Sequence, residues 1–241
     1  FKIYDFNEKG LWDIQQSGDK YLLASGTTPW PKRPWPMGEY LVQMHVSGYA
    51  ESMYPIWVER NEREAISLKF VRSSSVPEGM VYVAGGLTKL PPAENAPAAT
   101  FDVPSFLIGA CEVTQAEYSL FLQSLSGDAS GHLPHYRDGA AIWSGLSPPQ
   151  GWGSLPVFGV STDSAEAFAA RMKGRLPFRD EVIRAGLGAG GRSYPWGNHW
   201  NPRFVACSSS VVGAQPMPAA SLPEGMSPFG CKHIVGNVSE W

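Results

Sequence analysis

The chain has 241 residues, a formal net charge of −3 and 17% charged residues, fewer than the ~25% usual in globular proteins. It has no basic stripe suited to nucleic acid and no acidic tail suited to a solvating segment, and no apolar run approaches the ~18 residues of a membrane helix. Twenty-six glycines, 21 prolines and nine tryptophans predict instead a loop-rich globular fold held by aromatic anchors, long enough for one or two domains.

Residues 1–72 are expected to be strands. Lys20 to Ala24 is a short apolar run, and Trp30-Pro-Lys-Arg-Pro-Trp-Pro36 is a proline-broken loop that cannot sit in a central strand. Tyr40, Val42, Met44 and Val46 alternate with Leu41, Gln43 and His45. Tyr54, Ile56 and Val58 alternate with Pro55, Trp57 and Glu59, and Ile66, Leu68 and Phe70 with Ser67 and Lys69. Three strands of period two, with a charged tip over 59–64 and turn signals between them, predict a small all-β module. It would need to form a sandwich or pack on a neighbour to be stable. Arg72-Ser-Ser-Ser-Val76 has the composition of a linker.

Further along, Met80 to Ala84 is expected as a strand, 90–99 as an exposed loop and 101–113 as extended. Thr114-Gln-Ala-Glu117 fits a capping box opening a helix with a Tyr118, Phe121, Leu122 and Leu125 stripe. Ser126-Gly-Asp128 ends it. Residues 127–155 have little periodicity and form an irregular insertion, and Pro156 to Val160 is a short strand. A second helix starts over 161–165, buries Ala165, Phe168, Ala169 and Met172, and stops at Lys173-Gly174. A third spans 178–187, with Phe178 in a cap position where a Ser, Thr or Asp would serve. Beyond Gly188 the pattern is loops with short strands. The chain opens on Phe1 rather than Met and stops on Trp241 within a motif, which fits a piece of a longer protein.

Glycine-, proline- and tryptophan-rich punctuation marks the last third: Gly174-Arg-Leu-Pro177, Tyr194-Pro-Trp-Gly197 and Gly236-Asn-Val-Ser-Glu-Trp241. With Pro77-Glu-Gly-Met-Val-Tyr-Val-Ala-Gly-Gly86, Glu112-Val-Thr-Gln-Ala-Glu-Tyr118 and Pro156-Val-Phe-Gly-Val-Ser161 before them, residues 77–241 resemble the formylglycine-generating enzyme, or sulfatase-modifying-factor, family. The resemblance implies an α+β, loop-rich, C-type-lectin-like fold. Gly38 to Tyr49 and Tyr54 to Glu59 resemble a PEGA-type β-module, as found before this domain in some bacterial serine/threonine kinases; no kinase signature is present. The expected division is therefore 1–74 for the β-module and 75–241 for the lectin-like domain.

Departures from the family pattern shape the functional expectation. The helix after Leu176-Pro177 reads Phe178-Arg-Asp-Glu-Val-Ile183, so only Glu181 matches the usual Thr-Glu and Glu-Trp-Glu pattern. An Asp-Met pair is replaced by His233-Ile234, and a calcium-binding asparagine near Ala206-Cys207 is missing. The family's catalytic cysteine pair lies beyond the Gly-Asn-Val motif, where this chain stops. The chain has Cys111, Cys207 and Cys231. Cys111 fits an apolar core, and Cys207 and Cys231 could pair with each other or stay free. None meets the need of a copper-thiolate oxidase for accessible low-pKa thiols. His132-Leu-Pro-His135 is a weak metal pattern in a loop. The three-histidine iron site of ergothioneine-type sulfoxide synthases would need a helical His-x-x-x-His-x-Glu, which is not here.

Six candidate residues remain. Asn237 and Glu240, with carbonyls of their loop, match the family's second calcium site; the alternative is that Asn237 only bonds neighbouring backbone to hold the turn. Trp196 and Trp241 are expected as anchors, with ligand stacking as the alternative, and Trp30 and Trp35 are either a recognition patch or inter-module packing. No catalytic residue is assigned. The expectation from these residues is a non-catalytic module binding a protein or peptide ligand, with calcium as cofactor. The alternatives are a formylglycine-generating-type oxidase using copper, with its cysteines beyond residue 241, and a sensory tail of a bacterial kinase.

Overall fold

A computed structural model describes the chain except residues 30–32, 61–67, 91, 93–96, 128 and 210–214. The N-terminal part is a four-stranded antiparallel sheet in the order β2-β1-β3-β4, built from β1 (Lys2–Asp5), β2 (Leu22–Ser25), β3 (Gly38–Met44) and β4 (Ser52–Val58). β3 is central, with Ile3 opposite Val42 on one side and Tyr40 opposite Ile56 on the other. It is buried on both faces over most of its length, so its alternation does not separate a wet face from a dry one. The third strand expected over 66–70 is replaced. Ile66 and Ser67 lie outside the described residues, and 68–70 form no strand; the sheet is completed by β1 and β2 from the start of the chain. Nor is this part all-β, because a helix α1 (Leu11–Gln16) links β1 to β2. It starts at Gly10, whose N–H donates to the Asp13 carboxylate at 2.8 Å. Six residues are too few for a helix to hold alone. Leu11 and Ile14 carry it by packing on Tyr4, Phe6, Leu41 and Met226.

The rest of the chain has two short antiparallel ladders, β5 (Met80–Val83) with β8 (Phe106–Gly109) and β6 (Gly86–Leu90) with β7 (Ala99–Val103). Two-stranded ladders are marginal in water; β5–β8 is held by packing on Ala185, Phe229 and Cys231, and β6 by hydrogen bonds of Lys89 with Ala189 and Gly191 and of Leu87 with Arg184. α2 (Gln115–Gln123) forms on the expected capping box: Glu117 N–H donates to Thr114 Oγ1 at 3.2 Å, and Thr114 N–H donates to the Glu117 carboxylate at 2.8 Å. α3 (Thr162–Arg171) is capped by Ser161 Oγ, which accepts from Ser164 N–H at 3.2 Å. Tyr118, Phe121 and Leu122 of α2 meet Phe168 of α3 over Trp143. Met172, expected in that core, is 67% exposed because α3 ends at Arg171 and turns it outward. The expected strand over 156–160 is only a single bridge, Thr114 to Pro156. α4 (Arg179–Leu187) has no side-chain cap at Phe178. Glu181 supplies the missing interaction by accepting from Phe178 N–H at 2.7 Å while Arg175 grips it at 2.6 and 2.7 Å.

Two buried arginines join these parts. Arg184 of α4 donates to the carbonyls of Ala84 (2.9 Å), Gly85 (3.2 Å), Leu87 (2.7 Å) and Gly188 (3.2 Å), tying α4 to the β5–β6 connection. Burial pulls its pKa down to about 10, which still leaves it charged at neutral pH. Arg192 is fully buried between Glu39 of β3, the Pro195 carbonyl (3.1 Å) and the Phe6 carbonyl (2.8 Å), and its guanidinium lies 3.7 Å from the Phe6 ring centroid. It thereby fastens the N-terminal sheet to the Tyr194–Gly197 loop. Glu39→Ala is expected to destabilise the protein by about 3–5 kcal/mol, because it leaves a buried guanidinium without its counter-charge. The double change Glu39→Leu with Arg192→Met should recover most of that loss. Urea midpoints of the two variants test this; equal midpoints for the single and double variants would refute it.

Candidate functional site

The closing segment Gly236–Trp241 is drawn into the structure by its own backbone. Gly236 and Asn237 both take positive φ, 84° and 59°. A Cβ on Gly236 would meet the Ala206 carbonyl at 2.6 Å, so this turn needs glycine. Asn237 N–H donates to that same carbonyl at 2.8 Å. Its side chain then bridges two other segments: Oδ1 accepts from Met217 N–H at 2.8 Å, and Nδ2 donates to the Met217 carbonyl at 3.1 Å and to Glu112 Oε2 at 2.7 Å. Glu112, just before the α2 cap, thus meets the end of the chain, and Val238 N–H also acts on its carboxylate.

The second Glu112 oxygen, Oε1, is, among the described residues, the one buried side-chain nitrogen or oxygen that has no hydrogen-bond partner. Burial, reinforced by the nearby Glu240 charge, pushes the Glu112 carboxyl up to about 7 despite the Asn237 bond. Burial also raises Glu240. The Glu112 carboxyl is thus withdrawn from water and held by the Asn237 amide, with the charge of the exposed Glu240 acting on it. Such an arrangement is relieved by a proton or by a cation. The donor set is short for calcium, which takes about six to eight oxygens, so loop carbonyls or water would have to complete it.

The other expected residues fall in different places. Trp196 is 5% exposed, stacked within 6° of parallel on Tyr194, with Nε1–H donating to the His199 carbonyl at 3.0 Å. Trp241 donates from Nε1–H to the Val160 carbonyl at 3.1 Å but leaves its ring 58% exposed beside the acidic pair's loop. Trp30 lies outside the described residues, and Trp35 packs edge-on to Tyr40 at 5.1 Å. His132 Nδ1 is 3.1 Å from Ser164 Oγ, so it serves the α2–α3 contact rather than a metal. His135 makes its bond through its backbone N–H, to the Gly159 carbonyl.

Among the described residues, no group of three or more His, Cys, Asp or Glu could hold a metal ion, so neither a three-histidine iron set nor a copper-thiolate set fits them. Burial raises the Cys111 thiol and pushes Cys231 up to about 12, opposite to what a copper-thiolate site needs. Sequence reasoning placed Glu112 at the head of a family motif but missed its role, since its partner Asn237 lies 125 residues away. It also missed His233, a buried residue at φ 51° whose Nε2 lies 3.1 Å from Ser221 Oγ. Two hollows, of about 350 and 250 Å³, share Leu11, Gln15, Glu51 and Met53 beside α1, and no residue of the closing segment lines them.

The raised Glu112 pKa has a defined consequence for stability in metal-free buffer with chelator. Between its unfolded value of about 4.5 and its folded value of about 7, the native state holds more protons, so stability falls as pH rises through that window and levels off above it. Glu240 contributes in the same direction. Glu112→Gln is expected to flatten the decline, as measured by urea unfolding at pH 5, 6, 7 and 8. An unchanged pH slope in the variant would refute it.

Comparison with known proteins gives this geometry a context. The hercynine oxygenase of Mycolicibacterium smegmatis is 30% identical over 165 residues, 60% of this chain and 38% of its own length. That of Mycolicibacterium thermoresistibile is 31% identical over 170 residues, covering 37% of its length, and that of Mycobacterium tuberculosis is 30% identical over 171 residues, covering 39%. The chain therefore spans about two fifths of the length of these relatives. Relatives named as oxygenases overturn the expectation of a non-catalytic binding module. That expectation rested on the missing cysteine pair, the missing helical histidine pattern and the altered helix after Leu176-Pro177, all sought in a chain that spans part of these relatives. Residues 69–241 match the model of the sulfatase-modifying factor enzyme 1-like domain, and the chain belongs to that family.

Proposed function

We propose that this chain is part of an oxygenase of the hercynine-oxygenase kind, acting on hercynine or a closely similar betaine. The observation that carries the reading is the 30–31% identity to three proteins of that name across 60% of the chain. The metal chemistry of such an enzyme does not fit the side chains described here, so no step is routed through a metal. What this chain offers is shape and charge on the substrate side. Hercynine carries a quaternary ammonium, and the exposed Trp241 ring, with the exposed Glu240 before it, is a surface suited to a cation. The residues N-terminal to position 74 form the second part of this proposal: 1–74 act as a module that supports 75–241 through Arg192 and Glu39.

The test is oxygen uptake by the full-length protein, given hercynine, ferrous iron and a small thiol, with ¹⁸O₂ incorporation followed by mass spectrometry. Hercynine-dependent uptake and labelled product are expected; uptake indifferent to hercynine in every arm would remove the proposal. Trp241→Ala should raise KM about 2–5-fold with little change in kcat, as loss of about 0.5–1 kcal/mol of cation–π contact implies.

The calcium reading of Asn237 and Glu240 belongs here too, supported by the unpartnered Glu112 Oε1 beside them. Calcium should raise the melting temperature relative to a chelator, and Glu240→Gln should abolish the rise. An identical melting temperature with and without calcium would end that reading.

A further inference from the structure

Cys111 and Cys231 are far apart in sequence but lie side by side in the fold. Lys232 N–H donates to the Ala110 carbonyl at 2.8 Å, so each cysteine sits one residue from a backbone bond that joins the two segments. Segments joined in this way run about 5 Å apart, within the Cα separation that a disulfide spans. Both thiols are free. Cys231 is buried beneath Phe229, Tyr82 and Ala185, whereas Cys111 is half-exposed. Cys207 is elsewhere, its sulfur 3.4 Å from Ser209 Oγ.

We propose that Cys111 and Cys231 are an oxidisable thiol pair that closes into a disulfide, clamping the segment before α2 to the loop leading into Gly236–Trp241. The oxidant is a low-molecular-weight disulfide. The accessible Cys111 sulfur attacks it, forming a mixed disulfide and releasing one small thiol. The Cys231 sulfur then attacks the Cys111 sulfur, forming the protein disulfide and releasing the second small thiol. Two protein thiols are oxidised, one small disulfide is reduced to two thiols, and the two protons pass to those thiols. The clamp falls one residue before Glu112 and five before Gly236. It would fix the Glu112 segment, one of the two that Asn237 bridges, to the loop that leads into Asn237 itself. This inference does not depend on the oxygenase reading.

The experiment treats the wild-type chain with glutathione disulfide, then maps its peptides without reduction. The expected product is a linked peptide pair containing Cys111 and Cys231, two hydrogens lighter than the separate peptides, with a higher urea midpoint that dithiothreitol reverses. In Cys207→Ser the same link should form, and in Cys111→Ser it should not. Glutathione carried on Cys111 with Cys231 still free, a link through Cys207, or three thiols unchanged after prolonged oxidation would each overturn the proposal. Because the mapping uses the wild-type chain, a variant that fails to fold does not weaken the test.

Discussion

Arg192 sits without solvent contact against Glu39, the Phe6 ring and the carbonyls of Phe6 and Pro195, and the rest of the molecule is arranged so that this charge can stay there. A buried guanidinium is tolerated only when its donors and its charge are both answered. The answers come from three separated stretches: the end of β1, the start of β3 and the Tyr194–Gly197 turn. Each must therefore be in place before the ion is stable. Arg184 imposes the same demand on α4 and the β5–β6 connection, answered by a cage of carbonyl oxygens. A fold with short ladders and many loops can be rigid on this basis, since its irregular backbone carbonyls become the ligands of buried cations.

The same logic recurs with opposite sign at the closing segment. The Glu112 carboxyl is taken out of water within reach of the Glu240 charge, with one oxygen bonded to the Asn237 amide and one left over. Here the positive-φ turn at Gly236–Asn237 folds the chain end back under the α2 cap.

Much of this was legible in the residues. The capping boxes and aromatic stripe of α2, the position of α4 and β3 with β4 follow from local pattern. The family follows from six motifs in order, because each sits at a turn whose backbone only a few residue types can adopt. The N-terminal sheet was legible only in half. β1 is four residues long, and its burial depends on Val42 and Leu41 opposite, a pairing at long range that leaves no local period. The functional expectation failed differently. Missing cysteines and a weakened helix pattern were read as lost catalysis, whereas Glu181 in that helix is engaged by Arg175 and Phe178 in a structural role.

By itself the sequence determined the caps, the turns and the family, because these rest on side-chain chemistry and backbone preference within a few residues of each other. Tertiary structure alone decided that Glu112 meets Asn237, that Arg192 finds Glu39, that Met172 faces water and that Cys111 neighbours Cys231. Each of these joins or separates segments by where loops of irregular backbone cross, and no local propensity encodes a crossing.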